Sequence, residues 1–379
     1  MPRTVAHDAR GRGASKLADI PTAGWKDILW RTYHEVVSDH VMLIAAGVAF
    51  YAMLALVPTL TALVSIYGLF ADPATLNRHM DLLEGLIPSG GLDIVREQLR
   101  RLAEQGQTKL GLTSLAAFAI ALWSANSGVK SMFEAMNVAY DEEEKRSYIR
   151  LTAVTMNFTL ATFAAILLLI GLIVVLPTVL QLIGLGPAAQ WAARAGGLVL
   201  MLLLMLAGLA ALYRYGPSRR AARWRWITPG AALAIFVILV TSGLFTWYVA
   251  SIGSYDATYG SLGAIFGFMT WLWIAAIVVI AGAELNSEIE HQTERDTTTG
   301  RPRPMGERGA VMADTIGEAY GDAAPDTRQA QLHQPQLRSA GREPLPLGRL
   351  ALLAGLLWFG RRAGKSQPPA ELTSTLPIS

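Results

Sequence analysis

Few residues in this chain are of types that do chemistry, and their spacing excludes most of it. The histidines are His7, His34, His40, His79, His291 and His333. None lies at the centre of an apolar stretch, and no two stand at the helical spacing of a ligand pair. There are no cysteines, which excludes disulfides, thiolate metal sites and cysteine nucleophiles. No GxSxG, HExxH, P-loop or dinucleotide fingerprint occurs. No catalytic, cofactor-binding or metal-ligating set can be assembled, so the expectation is a protein that is not an enzyme. The remaining polar groups of interest are Asn126, Asp256, Tyr259 and Glu284, which lie on or beside long uncharged runs. Such groups are costly in a bilayer and need partners or water. They read as one polar route, with Asp256 and Tyr259 at an outer mouth and Glu284 at the inner end. The competing reading is structural: Asp256 ties a glycine-bearing hairpin and Glu284 ends a helix.

The elements that must position these groups are membrane helices. Leu262 to Ala283 carries no charge and is long enough to cross a bilayer, which takes about 20 residues. Gly263 and Gly267 form a GxxxG step suited to close helix packing. A first span runs from about Val41 to Phe70, longer than a bilayer needs, with Pro58 as a helix break. The second starts near Leu110 and ends in a polar stripe of Asn126, Lys130, Glu134 and Asn137 at helical spacing. The third runs from about Leu151 to Ile183 with Pro177 inside, the fourth from about Leu198 to Tyr213, the fifth from about Thr228 to Ile252. Before them, Trp25 to His40 is an amphipathic interfacial helix, with Lys26 and Arg31 directed at the headgroups.

Composition agrees. The chain has 379 residues, 52% hydrophobic and 16% charged, against about a quarter charged in soluble chains, and a mean hydropathy of +0.36. A net charge of +3 gives no bulk attraction to nucleic acid. The start has basic residues with no apolar core behind them and is not a cleavable signal. Residues 1–24 read as a flexible cytoplasmic arm, 25–290 as a six-helix transmembrane domain, and 291–379 as a cytoplasmic disordered tail with a short apolar segment near 345–360. Lysine and arginine alternate with each crossing: the arm, Lys145–Arg146–Arg150, the cluster Arg214 to Arg225 and the tail are basic, while the connection of spans five and six has no basic residue and that of spans three and four only Arg194. The loop of residues 71–109 is a mild exception, with five basic residues offset by six acids. The positive-inside rule then gives an all-α polytopic membrane protein of about six helices with both termini in the cytoplasm.

SYDATYGSLGAI with the following WLWIAAIVVIAGAELNSEI, the first-span AAGVAFYAMLALVPTL, the second-span GLTSLAAFAIALWSANSGVKSMFEAMNVAY, and WITPG at Trp226 to Gly230 resemble the YihY/BrkB family of bacterial inner-membrane proteins. The likeness covers about residues 25 to 290. It implies a multi-pass protein of the bacterial cytoplasmic membrane whose members have been described as virulence or serum-resistance factors and proposed as transporters. A ribonuclease BN label was also attached to the family, and no cluster of acids or histidines in this chain supports it. The function expected is a transporter or permease-like protein for an unidentified small solute. The alternative is a non-transporting membrane scaffold for envelope integrity or serum resistance. The expected partner is the lipid bilayer, with no nucleic acid.

Overall fold

The computed structural model describes residues 9–67, 112–182, 187–251 and 262–321. Their regular structure is helical, with no β-strand among them and one isolated bridge, Ala222 to Thr298. The helices are α1 (Thr22–Ser38), α2 (Val41–Tyr67), α3 (Leu112–Ala139), α4 (Tyr148–Leu182), α5 (Pro187–Tyr215), α6 (Trp224–Ser251), α7 (Leu262–His291) and the short α8 (Val311–Asp314). Four of them, α4 to α7, are long and apolar enough to cross a membrane over most of their length, and α1 with α2 can make a fifth span bent by 62°. Uncharged runs without polar faces fold this way because, in hydrocarbon, only a helix satisfies its own backbone.

Among the described residues, two outside glycine take the left-handed conformation, and both terminate helices. His40 (φ 54°) sits between α1 and α2, where its N–H reaches Val37 O while its own carbonyl accepts from Leu43 and Ile44. Asp141 (φ 51°) closes α3: its N–H bonds Val138 O, and the next N–H, of Glu142, bonds Asn137 O. That pairing of bonds is a Schellman cap, here without the usual glycine.

One end of the bundle holds the main core. Val41 and Ala45 of α2, Ala139 at the end of α3, Tyr213 of α5, Ile227 and Ala231 of α6, and Ile280 and Ala283 of α7 pack there in one cluster. The adjoining loops meet at the same end: Lys145 N–H donates to Ser218 Oγ, and Ser218 N–H donates to Asn137 Oδ1. Helix α7 is the centre of the packing and touches α1, α2, α3, α6 and α8.

Several expectations change. The helix runs on through Pro58 to Tyr67, and the sharp bend lies instead at Asp39–His40, where the chain leaves one helix and enters the next. A proline costs a helix one hydrogen bond, but it does not end one that neighbouring helices support. Gly263 is buried, but among the described residues no heavy atom lies within 4 Å of a Cβ built on Gly267, so the GxxxG step is not a tight contact at its second glycine. Helices touch instead at Gly230 and Gly282. A Cβ on Gly282 would lie 2.6 Å from the Tyr213 hydroxyl and 2.9 Å from Gly230 O. Residues 9–20 and 291–320, expected to belong to the arm and tail, pack onto the core end. Glu294 N–H donates to Arg12 O, Gly317 N–H to His291 O, and Thr299 N–H to Ala221 O. Threonine and arginine side chains, which composition counts as disorder-promoting, here satisfy backbone carbonyls: Thr293 bonds Ala14 O, and Arg223 bonds Thr298 O.

Gly282→Leu should therefore cost more than Gly267→Leu. Overpacking against backbone costs about 1–3 kcal/mol, and the side chain added at 267 meets open space. Fluorescence-detected size-exclusion and thermal melting of both variants check this: the Gly282 variant should lose folded protein while the Gly267 variant stays near wild type.

Candidate functional site

Helix α7 ends in three carboxylates, Glu284, Glu288 and Glu290, all at most 1% exposed. An ion in a low-dielectric interior carries a desolvation cost of several kcal/mol and needs a partner. Two of the three have one. Glu288 pairs with Arg31 of α1. The same guanidinium donates to Gln292 Oε1 at 2.8 Å and to Glu318 O at 2.7 Å. Glu290 pairs with Arg219 through two bonds of 2.6 and 3.1 Å, and Thr297 Oγ1 donates to it at 2.8 Å. Arg219 also stacks over the Tyr140 ring, 4.1 Å from its centroid.

Helix α1 is thus amphipathic in an unexpected sense. Its inward face carries Gly24, Asp27, Ile28 and Arg31, while Leu29, Tyr33 and Val37 point outward. Arg31 was expected at the headgroups; it is buried because Glu288 draws it inward. Asp27 accepts from Arg10 at 2.7 Å and from Tyr320 N–H at 2.8 Å, tying the arm and the segment after α7 to the same helix.

Glu284 differs from its neighbours. Its Oε1 is buried with no hydrogen-bond partner among the described residues. The charged groups that weigh most on it are carboxylates: Asp39, Glu35, Glu288 and Asp141. Asp39 is the C-cap of α1. Burial pushes the Asp39 carboxyl up to about 7, helped by the negative charges of Glu35 and Asp141. Among the described residues no three His, Asp or Glu side chains are arranged to hold a metal ion.

A side-chain amide fixes this end of α7 to α6. Asn286 Nδ2 donates to Ile227 O at 2.8 Å, and Gly230 N–H donates to Asn286 Oδ1 at 2.8 Å. The absence of side chains at Gly230 and Gly282 lets the two helices come close enough for both bonds.

Of the four residues expected to line one route, the described ones are Asn126 on α3 and Glu284 on α7. Asn126 is buried on α3, where its Oδ1 accepts from Thr159 Oγ1 of α4 at 3.3 Å. That contact lies beside the α3–α4 cluster of Ala121, Ala125 and Phe163, and Glu284 faces α1 instead. Asp256 and Tyr259 lie outside the described residues. Lys130 donates to Thr152 Oγ1 at 3.0 Å and lies 4.7 Å from the Tyr148 ring centroid. Sequence reasoning missed Asp39, Glu35 and Asp141, whose negative charges weigh on Glu284. The usable signal was the i, i+4 spacing of Glu284 and Glu288, which puts both on one face.

Fold and site together define an all-helical integral membrane protein with a charged, closely tied end. The family described as Virulence factor BrkB matches residues 32–306, and the chain belongs to that family. It is 29% identical over 253 residues to the "Putative ribonuclease-like protein YfkH" of Bacillus subtilis, covering 64% of this chain and 88% of that protein. It is 26% identical to a UPF0761 membrane protein of Neisseria meningitidis serogroup B, covering 73% of this chain but 65% of that protein. A UPF0761 membrane protein of Tolumonas auensis is 25% identical over 299 residues, 77% of this chain and 94% of that protein. No solved structure matches.

Breaking the Arg219–Glu290 pair from one side leaves a buried charge alone, and Arg219→Met should cost about 3–5 kcal/mol. Adding Glu290→Gln removes the orphaned charge and should recover about half of the loss. Denaturation of the single and double variants measures both values.

Proposed function

We propose that this protein is a transporter or permease-like protein of the bacterial cytoplasmic membrane, acting on a small solute. The observation that carries the reading is Glu284. It is a carboxylate, fully buried on a membrane helix, with one oxygen unpartnered and carboxylates as its principal charged neighbours. Ionisable groups in membrane helices are expensive, and where they lack a neutralising partner they mark ion, proton or substrate sites. A scaffold gains nothing from such a group, since an apolar residue of similar size would pack at lower cost.

The proposed topology is six crossings by α2 to α7, with both termini cytoplasmic. Two facts support it. The α3–α4 and α5–α6 connections and the segment after α7 are hydrogen-bonded together at one end, through Lys145–Ser218, Arg223–Thr297 and Glu142–Val311. That end also carries Lys145, Arg146, Arg214, Arg219, Arg220 and Arg223, the sign expected of the cytoplasmic side. The ribonuclease-like description belongs to the Bacillus relative, and no residue set here supports carrying it over.

Purified protein in liposomes, offered a panel of cationic, anionic and neutral metabolites, should move at least one faster than protein-free vesicles. Glu284→Gln should slow that movement while leaving the melting temperature unchanged or higher. Fluxes equal to protein-free vesicles across the panel would favour the scaffold.

A further inference from the structure

We propose that Arg214, set against the exposed rings of Tyr215 and Trp224, binds the phosphate of an anionic phospholipid at the membrane face of the core end. This goes beyond the transport reading and holds whether or not a solute moves.

The charge balance comes first. From the last turn of α5 to the first of α6, residues 214–225 contain five arginines and no acid. Among the described residues only Arg219 pairs with a carboxylate, that of Glu290. Arg220 and Arg223 reach the carbonyl oxygens of Arg301 and Thr298, which accept hydrogen bonds without cancelling a charge. Arg225 is exposed beside the Trp226 ring. Glu144 approaches the same corner but is already taken. Arg146 holds it through two bonds of 2.7 Å, and the same guanidinium donates to Tyr215 O and Gly216 O. The stretch therefore keeps most of its positive charge for a partner outside the described chain.

Arg214 stands at the membrane boundary. The apolar span of α5 ends at Tyr215 and that of α6 begins at Trp224. The guanidinium lies 4.5 Å from the Trp224 ring centroid and 5.4 Å from that of Tyr215. Nη1 donates to Ala222 O at 2.8 Å, which ties the group across the connection. Nη2 makes no hydrogen bond among the described residues and is not enclosed, so its two N–H groups are free to meet an acceptor. Tyr215 and Trp224 are 45% and 47% exposed and meet edge to face at 6.3 Å. Tyr215 meets Phe158 of α4 in the same way at 6.5 Å. One cation thus rests on an aromatic floor shared by α4, α5 and α6, at the depth where headgroups lie.

These features select a lipid over a soluble anion. Guanidinium groups suit phosphate oxygens in charge and in donor geometry. A free phosphate would use the cation and leave the rings idle. A phospholipid uses both, with its phosphate on Arg214 Nη2 and its glycerol and first methylenes against Tyr215 and Trp224. An anionic headgroup also answers the outstanding charge of the arginine stretch, which a zwitterionic one does not.

Native mass spectrometry of the full chain, titrated with phosphatidylglycerol, phosphatidylcholine or inorganic phosphate, tests this. Phosphatidylglycerol should bind more tightly than phosphatidylcholine, and inorganic phosphate should not displace it. Arg214→Gln should weaken phosphatidylglycerol binding about tenfold, the scale of a lost hydrogen bond to a charged group. Trp224→Leu keeps every arginine and removes the larger ring, so it should also weaken binding. Being a change at a half-exposed residue, it serves if Arg214→Gln does not fold. Arg150→Gln removes an exposed arginine from the first turn of α4 and should leave the affinity unchanged. Equal affinities for the two lipids, or wild-type affinity in a folded Arg214→Gln or in Trp224→Leu, would overturn the proposal. An equal loss from Arg150→Gln would do the same, since it would mean diffuse surface charge. So would displacement of the lipid by inorganic phosphate or by polyuridylate RNA, which would give the arginines to a soluble anion or to nucleic acid.

Discussion

A charge buried in an apolar bundle must find an opposite charge or a proton, and the last turns of α7 impose that demand three times. Glu288 and Glu290 meet it with Arg31 and Arg219. Each arginine comes from a different part of the chain, so satisfying the two acids fixes where α1 and the α5–α6 connection must lie. Buried ion pairs add little net stability, because desolvation offsets most of the attraction. Their effect here is on arrangement: α1 turns its polar face inward and leaves Leu29, Tyr33 and Val37 to the outside. Such an inversion is tolerable only beside lipid, where an outward apolar face has no cost.

The same constraint organises the segments beyond the helices. Helix ends leave backbone carbonyls without partners, and a charged end cannot be covered by apolar residues alone. The arm and the segment after α7 supply what is missing. Gln292 Nε2 donates to Arg10 O, Arg12 to Gly317 O, and Arg308 N–H to the Asp314 carboxylate. The close approach of α6 and α7 belongs to this economy too, since Asn286 can bridge to Ile227 and Gly230 only where neither Gly230 nor Gly282 carries a side chain.

How much of this was legible in the sequence follows from the range of each interaction. The helices were readable because hydropathy and length are local properties; the apolar runs at 41, 151, 228 and 262 all begin or lie within helices. Proline and glycine are harder to read because their effect depends on neighbours: Pro58 is carried by its helix, among the described residues nothing lies within 4 Å of a Cβ on Gly267, and Gly282 is a tight contact. The cap was hidden by composition, which counts threonine, glycine and arginine as disorder-promoting without asking which carbonyls they could satisfy. Glu284 was readable as an anomaly on an uncharged helix. Its acidic surroundings, Asp39 among them, were not, because no periodicity links residues so far apart in sequence, and the left-handed turn at His40 has no signature beyond a short polar break between two helical runs.

The central claim is that the arm, the α5–α6 connection and the segment after α7 form one tied structure around the acids of α7. Hydrogen–deuterium exchange on the full chain in lipid tests it most directly. The N–H groups of Arg220, Arg223, Glu294, Thr299 and Gly317, each bonded to a carbonyl of another segment, should exchange as slowly as the middle of α7 or within about tenfold of it. Exchange of these amides at the rate of an unfolded chain, with α7 still protected, would contradict the account.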